Sequence, residues 1–151
     1  MAGWATKIEG SSVEVSLPLM PDDQFHSFIR REAVGVVGAI VAWNFPLLLA
    51  CWKLGPALAT GCTLVLKPAD ETPLSALKLA ELVQEAGYPD GVFNVVTGTG
   101  ITAGSALTRN PLVDKLTFTG STAVGKEIGK IAMDSMTRVT LELGGKSPTI
   151  V

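Results

Sequence analysis

Between Ala33 and Trp43 the chain reads AVGVVGAIVAW, an apolar run broken only by two Gly and without alternation. A strand that buries one face alternates polar and apolar side chains, so an unbroken run predicts a strand covered on both faces, as in a parallel sheet. The run, from Val34, stops at the polar amide of Asn44. Pro46 then suits the first turn of a helix that reaches Thr60 and ends at Gly61, a favourable residue just past a helix end. The same rhythm repeats downstream. Strands are expected at Cys62–Leu66, Val92–Val96, Lys115–Phe118 and Val139–Leu143. Helices are expected from an N-cap at Thr72, with Pro73 at the first position, to about Ala86; from Ile101 to about Thr108; and from Ser121 to about Met133. Short turns between such βα units imply right-handed crossovers and a doubly wound, Rossmann-like parallel α/β sheet, with a last strand that breaks off as it begins at Ser147–Val151.

Residues 1–33 follow a different pattern. Ser12–Leu17 alternates polar and apolar positions, Pro18–Asp23 is rich in turn residues, and Gln24–Glu32 suits a returning strand. A β-hairpin standing off the main body, of the kind that pairs with another subunit, is expected here. The chain therefore divides into an interdomain connection and oligomerisation hairpin at 1–33 and a partial nucleotide-binding domain at 34–151. The unfinished strand at the C-terminus suggests a segment of a longer protein.

Composition narrows the partners. The 151 residues suit one domain, and 47% apolar content is enough to fold it. A net charge of −2 without a basic cluster argues against nucleic acid or an anionic membrane surface. Lys53, Pro56 and Gly61 interrupt the apolar runs, so no membrane span is expected. Cys51 and Cys62 lack metal-ligand spacing and His26 is the one histidine, so no metal site is expected. With no basic, apolar leader at the start, a reducing, cytoplasmic setting fits.

Several positions could carry chemistry. Asn44 sits at a strand-to-helix turn on the carboxyl edge of the sheet, where open α/β sheets bind ligands, and it either caps the helix or offers its amide to a substrate. Gly98-x-Gly100-x-x-x-Gly104 follows a strand and enters a helix, one residue longer than the dinucleotide fingerprint; it reads as a nucleotide loop or a bare tight turn. Gly120–Lys126 nearly matches a P-loop, but Glu127 stands where a magnesium-binding hydroxyl is needed, so a P-loop is rejected. Ser121 either donates to a phosphate at the helix N-terminus or caps that helix. Lys67 and Asp70 follow the second strand, where an acid commonly accepts from a ribose diol and repels a 2′-phosphate, favouring NAD over NADP; otherwise they are solvated loop charges. Phe45, Leu48, Leu49 and Trp52 share one helical face, as core or as substrate pocket. Glu142 interrupts an otherwise apolar-and-Thr strand, read as central in the sheet. Burial there makes it a general base of raised pKa or a buried acid paired with Lys or Arg.

Taken together, Trp43-Asn44-Phe45-Pro46, the Lys53–Gly61 stretch, Lys67-Pro68-Ala69, Phe118–Thr122 and Leu141–Pro148 resemble the aldehyde dehydrogenase superfamily, in that family's order and over nearly the whole chain. The text looks closest to bacterial phenylacetaldehyde-type enzymes. The resemblance implies NAD-dependent oxidation of an aldehyde to a carboxylic acid through a Cys thioester. It implies Asn44 as oxyanion donor, Glu142 as general base and Lys53 as its proton-relay partner. Ile40, Trp43, Lys67, Asp70, Gly100, Gly104, Phe118, Gly120, Ser121, Val124 and Leu143 are implied as cofactor contacts. Lys67 and Asp70 would meet the adenosine ribose, with Asp70 standing where a Glu is often found. Gly100 and Gly104 would meet the adenine, Trp43, Gly120, Ser121 and Val124 the pyrophosphate, and Leu143 the nicotinamide. Phe45, Leu49 and Trp52 are implied as part of a tunnel for an aromatic or apolar aldehyde, and a homo-oligomer, dimer or tetramer, is implied for the full-length enzyme.

One departure stands out. The family's nucleophilic Cys lies downstream of the LELGGK text, and neither Cys51 nor Cys62 matches its context. The full-length parent is therefore expected to be active and these 151 residues alone inactive. The alternatives are a non-catalytic nucleotide-binding or structural relative, and a CoA-dependent relative, against which Glu142 argues because deacylation by water needs a base.

Overall fold

A computed structural model of the chain describes residues 13–14 and 27–150. The expected turn at Pro18–Asp23 and most of both hairpin strands lie outside these residues. What is described of the hairpin is the pairing of β1 (Val13–Glu14) with β2 (Phe28–Ile29), antiparallel, with Val13 opposite Ile29.

The body begins with β3 (Val36–Ile40), followed by α1 (Pro46–Ala59), β4 (Thr63–Lys67), α2 (Leu74–Glu85) and β5 (Phe93–Val95). A π-helical turn at Gly100–Gly104 runs into the short α3 (Ser105–Thr108). Then come β6 (Lys115–Gly120), α4 (Thr122–Asp134) and β7 (Arg138–Leu143). The five strands β3 to β7 form one parallel sheet in the order β5-β4-β3-β6-β7. The chain winds outward from β3 through β4 to β5, then returns to the other side of β3 for β6 and β7. The order thus reverses between β3 and β6, and the switch-point crevice of a doubly wound sheet lies beyond their carboxyl ends.

The unbroken apolar character of β3 comes from burial on both faces. On one face Val37, Ala39, Leu64 and Leu66 pack against Leu49, Ala50, Leu54 and Ala57 of α1 and Ala76 of α2. On the other, Leu116 and Phe118 pack with Leu107 of α3 and with Ile128 and Ala132 of α4. β6 and β7 differ from β3, because their sequences alternate. Leu116, Phe118, Val139 and Leu141 face the α3/α4 core, whereas Lys115, Thr117, Thr140 and Glu142 look toward the α1 side.

Three expectations change. Glu142 is not in a central strand: β7 is the edge of the sheet, and Glu142 is exposed rather than buried. Thr72 does not cap α2. The N-cap position is Pro73, whose carbonyl takes the amides of Ala76 and Leu77, and the Thr72 hydroxyl is buried without a partner. Leu49 does not share the open face of α1. It is 6% exposed in the core, while Phe45, Leu48 and Trp52 form the exposed stripe.

Candidate active site

At the end of β3 the backbone bends through Trp43–Phe45 into α1. Phe45 occupies the N-cap position, without a side-chain cap bond, and Pro46 opens the helix. Asn44 is exposed and does not cap α1. Its amide is therefore left for something outside the helix.

At the end of β6, Ser121 caps α4: its Oγ accepts from the Val124 amide at 3.3 Å. The amides at the start of any helix lack intrahelical partners, so this end remains a donor site beside the switch point. The far end of β7 is tied to the same place, because the Thr122 hydroxyl donates to the Gly144 carbonyl at 3.5 Å. A Cβ on Gly125 would collide with the Leu143 side chain, so glycine at this position lets α4 settle against β7 and positions Leu143.

Lys67 closes β4 and is 4% exposed. Burying an ammonium requires partners. Here Nζ donates to the Pro68 carbonyl at 2.9 Å and to Asp70 Oδ1. The solvated-loop alternative is thereby excluded for Lys67; Asp70 remains partly exposed.

Two clefts flank the sheet. One, of about 230 Å³, is lined by Ile40, Gly100, Gly104, Phe118 and Val124, five of the expected cofactor contacts, together with Arg109 and Glu127. Position 104 has room for a close neighbour, since a Cβ there would sit 3.9 Å from Ile40 Cδ1 and from Lys67 Cδ. Lys67 and this apolar, glycine-edged slot are thus adjacent, an arrangement that fits a flat ring joined to a hydroxyl-bearing sugar. Glu127, whose position argued against a P-loop, lines the slot from α4.

The second cleft, of about 600 Å³, opens on the α1 side. Trp52 and Lys53 of α1, Lys115 and Thr117 of β6 and Thr140 and Glu142 of β7 line it, with Cys62 at its floor. Lys53 and Glu142 both line it, and they influence each other through charge rather than an ion pair. Burial lowers the pKa of Lys53, Glu142 opposes that by favouring the charged ammonium, and Lys115 adds to the lowering. Asn44, Trp43, Ser121 and Leu143 line neither cleft; they surround the carboxyl ends of the strands. Sequence reasoning missed Lys115, Thr117 and Thr140. The signal was present, since KLTFTG and RVTLEL alternate strictly and so mark strands with one polar face. Nothing in the sequence distinguished Arg109 from an ordinary surface charge, and Glu127 drew notice only as the residue that breaks the P-loop pattern.

The strand order, the switch-point turn and the glycine-edged cleft define a protein of the Rossmann-like, doubly wound class. The chain belongs to the aldehyde dehydrogenase family, whose model matches residues 1–151. It is 62% identical over 151 residues to a phenylacetaldehyde dehydrogenase of Pseudomonas fluorescens, covering 100% of this chain and 30% of that protein. Its fold matches the NAD⁺ complex of an aldehyde dehydrogenase from Bacillus cereus with a TM-score of 0.89 at 51% identity, over 99% of this chain and 29% of the other. An E. coli structure described as an NADP-dependent enzyme matches with a TM-score of 0.88 at 46% identity, over 95% of this chain and 29% of that one. The chain thus spans about three-tenths of the length of these relatives. Among the described residues, no helix is long and apolar enough to cross a membrane, and no group of His, Cys, Asp and Glu could hold a metal ion.

Proposed function

We propose that this chain is the cofactor-binding part of an NAD-dependent aldehyde dehydrogenase that oxidises an aromatic or apolar aldehyde to its carboxylic acid. The observation that carries this reading is the arrangement of two clefts on one sheet: a glycine-edged slot beside Lys67, and an open cleft where Lys53 and Glu142 interact. When bound, the nicotinamide cofactor supplies the hydride acceptor. The slot formed by Ile40, Gly100, Gly104, Phe118 and Val124 holds the adenine, with Val124, first assigned to the pyrophosphate, serving as one of its walls. Lys67 and Asp70 meet the ribose, Trp43, Gly120 and Ser121 receive the pyrophosphate, and Leu143 supports the nicotinamide ring.

Around the substrate, the Asn44 amide donates to the carbonyl oxygen as negative charge develops on it. Glu142 takes a proton from the water that releases the acid, and Lys53 relays that proton. The exposed Phe45 and Trp52 form the aldehyde's apolar wall, with Leu48 taking the place first assigned to Leu49. The attacking thiol comes from outside these 151 residues. Cys62 is buried, and burial pushes the Cys51 thiol up, which leaves less of the reactive thiolate. The hairpin at 1–33 serves a homo-oligomer, and the protein works in the cytoplasm.

The test is aldehyde-dependent formation of NADH by the full-length protein, by its Glu142→Gln variant and by the 151-residue chain alone. The reading expects turnover in the first, a large loss in the second and none in the third. An active isolated chain would contradict the assignment of the nucleophile. The Asp70 carboxylate should also make kcat/KM with NAD exceed that with NADP, and equal use of both would remove its role.

A further inference from the structure

The cleft on the α1 side holds a second cation that the proposed relay does not use. Lys115 begins β6, and its Nζ donates to the Thr140 hydroxyl on β7 at 2.8 Å, which fixes the ammonium on the polar face of the two strands. Thr140 and Glu142 are two residues apart on β7 and so share that face. Lys53 reaches the same cleft from α1. The charged or titratable groups lining it are Lys53 from α1, Lys115 from β6, Glu142 from β7 and the Cys62 thiol from the turn before β4. Arg138 begins β7 opposite Lys115 in the strand register.

We propose that Lys115 is a positioning residue for the relay: anchored on Thr140, it holds a fixed positive charge in the cleft that Lys53 and Glu142 line, and so helps protons pass between those two. This rests on the proposed aldehyde oxidation. The physical case is a balance of two neighbours. Glu142 stabilises the Lys53 ammonium and, unopposed, would keep the proton on it. Lys115 carries the same sign as Lys53 and destabilises that ammonium, adding to half-burial in the cleft. Because Lys115 is tethered by its hydrogen bond and does not pair with Glu142 in this structure, its charge acts on Lys53 without cancelling the carboxylate.

The test compares the full-length protein with Lys115→Met, Lys115→Gln and Lys115→Arg. The titration of Lys53 is read by pH-dependent competitive amine labelling and mass spectrometry, and the pH profile of kcat is measured alongside. Removing a like charge raises the pKa of Lys53, so its labelling curve and the basic limb of the profile should move to higher pH in Lys115→Met and Lys115→Gln. Lys115→Arg should leave both in place. Gln can still donate to Thr140, so it separates the charge from the tether and covers the case in which Met does not fold. An unmoved Lys53 titration in Lys115→Gln would overturn the proposal whatever happens to turnover. A moved titration in a protein without aldehyde oxidation would uphold the electrostatic effect while refuting the reading of function on which it rests.

Discussion

Asn44 shows how a single residue's role depends on its neighbour. Asn is a favoured helix cap, but the turn into α1 gives the N-cap position to Phe45, and Asn44 is left exposed. Replacing it with Ala should therefore leave thermal stability nearly unchanged while costing about 3–4 kcal/mol of transition-state stabilisation in the full-length enzyme. A kcat within a few-fold of the parent would remove the oxyanion role, and a large drop in Tm would restore the cap. Thr72 is the converse case. It has the sequence of a cap and does not act as one; its hydroxyl is buried without a partner. Thr72→Val should leave stability unchanged or raise it, since no hydrogen bond is lost and a desolvated hydroxyl is removed. Loss of the roughly 1 kcal/mol typical of a cap, read from urea midpoints, would show that the hydroxyl is satisfied in solution.

At the level of elements, the succession of strands and helices was legible because β3 is an apolar block, β6 and β7 alternate polar and apolar residues, and the helices are punctuated by Pro or Gly. Gly61 ends α1 with φ +76°, a conformation that side chains resist. Boundaries differ by one to three residues, since the sheet's hydrogen bonds rather than apolarity define them. Two features were less legible for physical reasons. Which strand lies at the edge depends on sheet order, a nonlocal property, so Glu142 was placed in the centre. Its strand's alternation was the local evidence against that. Likewise Leu48 and Leu49 are adjacent in sequence, and only the seating of α1 on β3 and β4 decides which is buried. The fit between α4 and β7 is tight at Gly125, where any side chain meets Leu143. Gly125→Val should cost about 1–3 kcal/mol by overpacking. It should also displace Leu143 and weaken cofactor binding, and an unchanged urea midpoint would show that the strand moves aside freely.

Across the whole molecule, one sheet keeps two kinds of chemistry apart. The face covered by α3 and α4 carries the mostly apolar slot, edged by Arg109 and Glu127, and the face beside α1 carries Lys53, Lys115 and Glu142, with the switch point between β3 and β6 joining them at the strand ends. Cofactor binding and proton handling should therefore separate by mutation, so that Glu142→Gln loses turnover while its Kd for NAD stays within about twofold of the parent. A parallel loss of binding would show that the two faces are coupled. The most direct test of the account is the Kd for NAD of the full-length protein, read from tryptophan fluorescence, beside that of Val124→Asp, which adds a second carboxylate to the slot beside Glu127. The account predicts saturable binding by the parent and at least tenfold weaker binding by the variant with its fold intact, a loss of about 1.4 kcal/mol or more. Equal affinities would contradict it.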